Sequence, residues 1–141
     1  MMRRSVLRMV DANANRALEG IRVCEDVVRF HLESPLPFAV LRALRHAIAR
    51  TIQHLPVSRA ELLRARGSAQ DVGRRAPASP VPSLERLLLI NFQRTKESLR
   101  VLEECARVIA PRQTRVFQRL RFRTYDVERE ILLRVAALRH P

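Results

Sequence analysis

The chain has 141 residues, 47% of them apolar, only three glycines and a formal net charge of +13. That length suits one domain with a real core, and the apolar share excludes a disordered tail. No apolar run reaches the roughly 18 residues of a membrane span, and the basic start MMRRSVLRMV lacks a signal core and cleavage site, so a cytoplasmic protein is expected.

Apolar spacing predicts a first helix over 7–32, with Pro35 and Pro37 forbidding continuation. At 100° per residue, Ala14, Ala17, Leu18, Ile21, Cys24, Val28 and Leu32 form its apolar arc. Asp11, Asn15, Glu19, Arg22, Asp26 and Arg29 form a polar stripe on the other side. A second helix over 38–54 turns Phe38, Leu41, Leu44, Ile48, Ile52 and Leu55 inward, and Pro56 stops it. SRAELLRA reads as a short helix because Ser58 and Glu61 make a capping box. Residues 66–83, RGSAQDVGRRAPASPVPS, form a loop long enough to be functional. Ser83 caps a third helix reaching Ala110, and Pro111 interrupts it. A fourth helix over 113–138 turns Phe117, Leu120, Thr124, Val127, Ile131 and Leu138 inward. The chain thus reads as one all-α domain: a first helical hairpin (7–55), a short helix plus lid loop (56–83) and a second helical hairpin (84–139), packed as a four-helix bundle.

The two hairpins repeat one another. NANRALEGIRVCEDVVR at 13–29 returns 78 positions later as NFQRTKESLRVLEECAR at 91–107. LRALRHAI resembles FQRLRFRT at an offset of 76, aligning Arg45 with Arg121. The polar stripe repeats as Gln93, Glu97, Arg100, Glu104 and Arg107, with Thr95, Leu99, Leu102 and Ala106 inward. A solvated face with ion pairs three and four residues apart explains such a stripe, although pairs of that kind contribute only about 0.2–0.5 kcal/mol each and constrain identity weakly. Asn13, Arg16 and Gly20 lie off the stripe, at the edge of the apolar arc, and Asn91, Arg94 and Ser98 repeat them. A glycine within a helix costs about 1 kcal/mol against alanine. Small residues at both equivalent positions therefore imply close approach, either by a neighbouring helix or by a ligand.

The net charge leaves three classes open. A basic surface attracts nucleic acid or phosphorylated small molecules, and arginine, which supplies all but Lys96 of the 27 basic residues, suits bidentate phosphate contacts. Against nucleic acid stand an aromatic content of 4% and a stripe with as many acids as arginines. A dimerisation or regulatory module is the third class. Cys24 and Cys105 read as core thiols, and the four histidines lack metal-ligand spacing.

DANANRALEGIRVCED, LRH, DVG, NFQRTKESLRVLEE and LRFRTYDVE, in that order over 7–131, resemble the small, strictly monofunctional hydroxymethylpyrimidine phosphate kinase family of thiamin biosynthesis. That domain occurs alone or fused ahead of thiamin-phosphate synthase. The resemblance implies ATP-dependent phosphorylation of 4-amino-5-hydroxymethyl-2-methylpyrimidine phosphate to its diphosphate, with ATP and Mg²⁺. It implies a small phosphorylated pyrimidine as partner, association with thiamin-phosphate synthase or with a second copy, and neither nucleic acid nor membrane. RGSAQ before DVG, and Arg74 after Gly73, depart from the acidic–Thr pair and the hydroxyl residue of the family pattern.

The chain has no GxxxxGK[ST], GxGxxG, HRD or DFG signature. The acceptor, a phosphate monoester with a second pKa of about 6, needs no strong base. The task is to align two anions and neutralise the transferred group. Arg16, Arg94, Arg22, Arg100 and Asp71 are the expected catalytic set. Asn13, Asn15, Glu19, Asp26, Asn91, Glu97 and Glu104 join them as binding groups, with Arg45, His46, Arg121 and Tyr125 lining the groove and Gly73 turning the loop. Asp71, Glu19 and Glu97 are the expected Mg²⁺ ligands. The expectation is that both helix faces converge on one shared cleft.

Overall fold

The computed structural model describes residues 1–139, which leaves His140 outside the description. Helix α1 runs Met2–Val27, starting five residues earlier than expected, and widens into a π turn at Val28–Leu32. Glu33, in the left-handed conformation at φ 49°, ends it. Helix α2, Pro35–Gln53, begins on the prolines expected only to separate the helices. In the first turn a proline forfeits no intrahelical bond, since those N–H groups have no partner there.

Helix α3, Arg59–Ala65, carries the expected capping box: the Glu61 N–H donates to Ser58 Oγ at 3.1 Å and the Ser58 N–H to Glu61 Oε2 at 2.8 Å. A single 3-10 turn, Ser68–Gln70, interrupts the loop. Helix α4, Leu84–Ile109, is capped by Ser83, whose Oγ accepts the Arg86 N–H at 3.1 Å. Another 3-10 turn, Pro111–Gln113, leads into helix α5, Thr114–Arg139. No helix of the described residues is long and apolar enough to cross a membrane.

α1 and α4 form the central pair, with α2 against α1, α5 against α4, and α2 touching α5. Their contacts run antiparallel: Cys24 Sγ reaches Leu88 O, Gly20 faces Asn91 and Thr95, and Thr95 Oγ1 donates to Ala17 O at 3.2 Å. Ala17 and Thr95 are equivalent positions of the repeat, so the pseudo-twofold axis passes between them. A Cβ on Gly20 would come within 2.5 Å of Thr95 Oγ1 and 3.0 Å of Asn91 O. Helix α4 is therefore the neighbour for which the glycine is kept. Ser98, its counterpart, folds its hydroxyl back onto Arg94 O at 2.8 Å.

Most of the predicted inward residues are buried, including Ala17, Ile21, Cys24, Leu41, Leu44, Ile48, Thr95, Leu99, Leu102 and Phe117, while Leu18 and Leu32 are half-buried. Leu138 is the exception: it is 70% exposed, and Val135 takes the core position. The contacts Glu103–Arg121 and Lys96–Glu128 set the α4–α5 register, which puts Leu138 level with the first turn of α4, at the end of the bundle.

Each hairpin is also tied by a buried ion pair. Arg45 Nε donates to Glu25 Oε2 at 2.5 Å, and Arg121 donates through Nε and Nη2 to Glu103 Oε1 at 3.3 and 3.2 Å. The two arginines expected to line the groove instead clamp α2 to α1 and α5 to α4. Glu25 and Glu103 are 3% and 6% exposed, so removing either guanidinium would strand a carboxylate in the interior.

Candidate functional site

Arg16 precedes Glu25 by nine residues, two and a half turns, so the two point from opposite sides of α1. Glu25 faces α2, where Arg45 holds it; Arg16 therefore projects away from α2. Arg94 stands in the same relation to Glu103 on α4, away from α5. Both guanidinium groups thus rise from the one face of the α1–α4 pair that α2 and α5 leave open, each one residue from the Ala17–Thr95 crossing. Both are exposed, and among the described residues neither forms an ion pair. Beside them Asn13 and Asn91 are buried, each donating its amide N–H to its own helix, to Met9 O and Leu87 O at 2.9 Å. Their side-chain carbonyls are left to accept.

The single shared cleft that was expected is two. A first cleft of about 500 Å³ is lined by Arg8, Asp11, Asn13, Arg16 and, from the loop, Gly67 and Asp71. A second, of about 490 Å³, is lined by Arg86, Gln93, Arg94, Lys96, Glu97 and Glu128. They share no lining residue, yet Arg8 and Arg16 are the repeat equivalents of Arg86 and Arg94. The clefts therefore flank the open face, with Arg16 and Arg94 at their inner rims. A third hollow of about 500 Å³, among α1, α2 and α3, holds Asn15, Leu18, Ile52, Gln53 and Leu62. It shares Asp11 and Arg66 with the first cleft. Arg66 donates two bonds of 2.7 Å to Asp11, so this pair is the wall between the two spaces. Asp11, a member of the polar stripe, is 8% exposed.

Of the remaining stripe residues, Arg22, Asp26, Arg100, Glu104 and Arg107 form the surface ion pairs of the solvated reading. Arg22 lies 3.6 Å from Asp26, Arg100 3.2 Å from Glu104, and Arg107 2.8 Å from Glu104, all well exposed. Arg107, and then Arg100, hold the Glu104 carboxyl below its usual range. Gln93 donates to Glu97 at 3.0 Å. Glu19 is exposed and lines none of the three spaces, and neither does His46. Tyr125 lies beneath the Lys96 ammonium, 4.5 Å from its ring centroid. Asp71 Oδ1 accepts the Gly73 N–H at 2.8 Å, an Asx turn that leaves Oδ2 available.

Among the described residues no three His, Cys, Asp or Glu side chains gather as a metal cage. Asp71 lines the first cleft and Glu97 the second, and Glu19 lines neither, so the three expected ligands are not brought together. This donor set fits a Mg²⁺ that arrives on phosphate oxygens and takes one carboxylate. Both thiols are buried. Burial, and then the Glu128 charge, push the Cys24 thiol well above its ordinary value, so it stays protonated.

Sequence reasoning missed Glu25, Glu103, Arg66, Lys96 and Glu128. The first two carried a signal, since they recur at the 78 offset while their partners recur at 76. Lys96 was marked by being the chain's sole lysine. Glu128 carried none, yet its Oε2 is the one buried side-chain oxygen or nitrogen without a hydrogen-bond partner among the described residues.

The sequence model of the ThiD2 family matches residues 8–130. Thiamine-phosphate synthase of Prochlorococcus marinus is 33% identical over 134 residues, 94% of this chain and 37% of that protein. The proteins of the same name from Nostoc sp. and Rhodopirellula baltica are 34% and 32% identical over 130 and 138 residues, 90% and 96% of this chain and 35% and 36% of theirs. The chain spans little more than a third of the length of these relatives. No solved structure matches it.

Proposed function

The chain belongs to the ThiD2 family, and from that premise we propose that it is the ATP-dependent kinase converting 4-amino-5-hydroxymethyl-2-methylpyrimidine phosphate to its diphosphate. The observation that carries the reading is the pair Arg16 and Arg94, repeat equivalents, both without ion-pair partners among the described residues, on one face between two clefts. Such an arrangement suits a phosphoryl transfer between two anions. One ligand occupies each cleft, and their phosphates meet over the crossing, where the two guanidinium groups offset the crowded negative charge. The acceptor phosphate is already ionised near neutral pH, so alignment outweighs base catalysis. Mg²⁺ held on the nucleotide phosphates, with Asp71 as the protein ligand, would supply further charge neutralisation. The loop carrying Asp71 borders the first cleft and, by closing, keeps water from the donor phosphate.

Segments related to this chain make up about a third of proteins named thiamine-phosphate synthase. Such a synthase is the partner this reading favours. The test is diphosphate formation from the pyrimidine monophosphate with ATP and Mg²⁺, followed by ADP release and product mass. A folded chain that yields no diphosphate refutes the kinase. In that event, DNA binding with a steep salt slope identifies the nucleic-acid alternative.

A further inference from the structure

The two clefts are equivalent by repeat but differ in chemistry. The first adjoins the hollow under α3, through the Asp11–Arg66 wall. The second shares no lining residue with either of those spaces. Where the first half places Leu18 and Ile52 in that hollow, the second half places Lys96 and Glu128 in its cleft. Leu18 and Ile52 show that the fold accepts an apolar pair at these positions. An ion pair there is a departure that packing does not require.

That ion pair is incomplete. Lys96 Nζ donates to Glu128 Oε1 at 2.8 Å, and the two side chains are 9% and 12% exposed. Among the described residues Glu128 Oε2 has no hydrogen-bond partner. A carboxylate oxygen withdrawn from water without a donor is unfavourable, yet this one belongs to a residue lining a cleft with Arg86 and Arg94. Those arginines suit an anion, Leu89 and Ile90 line the same space and suit a flat ring, and Oε2 lacks an N–H donor. One ligand chemistry satisfies all three: a phosphorylated heteroaromatic ring bearing an amine.

Resting on the kinase reading, we propose that the second cleft is the acceptor cleft and that Glu128 recognises the exocyclic amine of the aminopyrimidine. The terminal torsion of a glutamate is soft, and a turn about it brings Oε2 toward the cleft to accept the amine N–H. Arg86 and Arg94 hold the phosphate. The larger combined space of the first cleft and its annex then takes the nucleotide.

Calorimetric binding without ATP tests this, comparing the aminopyrimidine monophosphate with its 4-oxo analogue, which lacks the amine. The wild-type chain is expected to favour the amine by about tenfold or more, because a site built around a donor leaves its own buried oxygen bare with the analogue. Glu128→Gln should abolish or reverse that preference, since its amide donates to an oxo group. Equal binding of both compounds by the wild-type chain, or a preference that survives Glu128→Gln, overturns the assignment. Should Glu128→Gln fail to fold with Lys96 unpaired, the double variant Lys96→Leu with Glu128→Ile copies the first half and must likewise lose the preference. A preference that survives there also overturns the assignment. Discrimination without diphosphate formation sinks the kinase and keeps this site, and turnover without discrimination does the reverse.

Discussion

Gly20→Ala adds one methyl group at the most crowded point of the α1–α4 crossing. In an open helix the change would stabilise by about 1 kcal/mol. Here the new Cβ would stand 2.5 Å from Thr95 Oγ1, when ordinary contact begins at 3.4 Å. Thr95 cannot simply swing aside: it is β-branched and fully buried, and its hydroxyl holds Ala17 O at 3.2 Å. Turning it breaks that bond and strands a buried hydroxyl, at about 1–3 kcal/mol. Parting the helices instead incurs an overpacking cost of similar size, about 1–3 kcal/mol. After the propensity gain the variant should lose up to about 2 kcal/mol, read as a lower urea midpoint with an unchanged slope. Removing the obstacle should restore it, so Gly20→Ala with Thr95→Ala should be more stable than the sum of the single changes by at least about 1 kcal/mol. A Gly20→Ala chain more stable than wild type, as in an open helix, or strictly additive single changes, would refute the close-approach account.

Arg16→Ala and Arg94→Ala should each lower kcat/KM by about 10²-fold or more while stability moves by less than about 0.5 kcal/mol, and wild-type kcat/KM in both would remove the paired-arginine site. Thermal unfolding should rank the clamps by burial. Arg121→Ala, with its side chain 11% exposed, is expected to cost about 3–5 kcal/mol, and Arg45→Ala, at 21%, somewhat less. Arg22→Ala on the solvated stripe should cost under about 0.5 kcal/mol, and an equal loss in all three would contradict the pairing described. The Ser58 N–H, and then Arg3, hold the Glu61 carboxyl below its ordinary value. Its contribution is therefore present above the unfolded value of about 4.3 and lost as pH falls through the lower folded one. Glu61→Gln should flatten the acid limb of the stability profile, and parallel limbs for the two proteins would exclude that role.

The helices were legible because their apolar residues recur at helical spacing and their ends carry local chemistry: the Ser58–Glu61 box, the Ser83 cap and the prolines. The repeat was legible too, including Arg45 matched with Arg121. What a wheel cannot give is the identity of whatever covers each side of it. The burial of Asp11 could not be read from the polar stripe because its partner, Arg66, is 55 positions away in an aperiodic loop. Glu25 and Glu103 were missed because their partners, Arg45 and Arg121, lie across a hairpin rather than one turn along. For the same reason the shared cleft resolved into two. The angle of Arg16 and Arg94 was readable, whereas the walls supplied by the loop and by α5 depend on non-local packing.

The contact between Ala17 and Thr95 lies on the axis relating the hairpins, and this has a historical corollary. Two separate copies of one ancestral hairpin, assembled as a symmetric dimer, would oppose the same residue to itself there, threonine to threonine or alanine to alanine. Joining them in one polypeptide frees each copy to mutate alone, so one supplies a bare carbonyl while the other supplies the hydroxyl that binds it. The same liberty lets Lys96 and Glu128 arise in one half against Leu18 and Ile52 in the other. A fused ancestor could thus let its twin hollows drift toward unlike guests, which no assembly of identical chains can do.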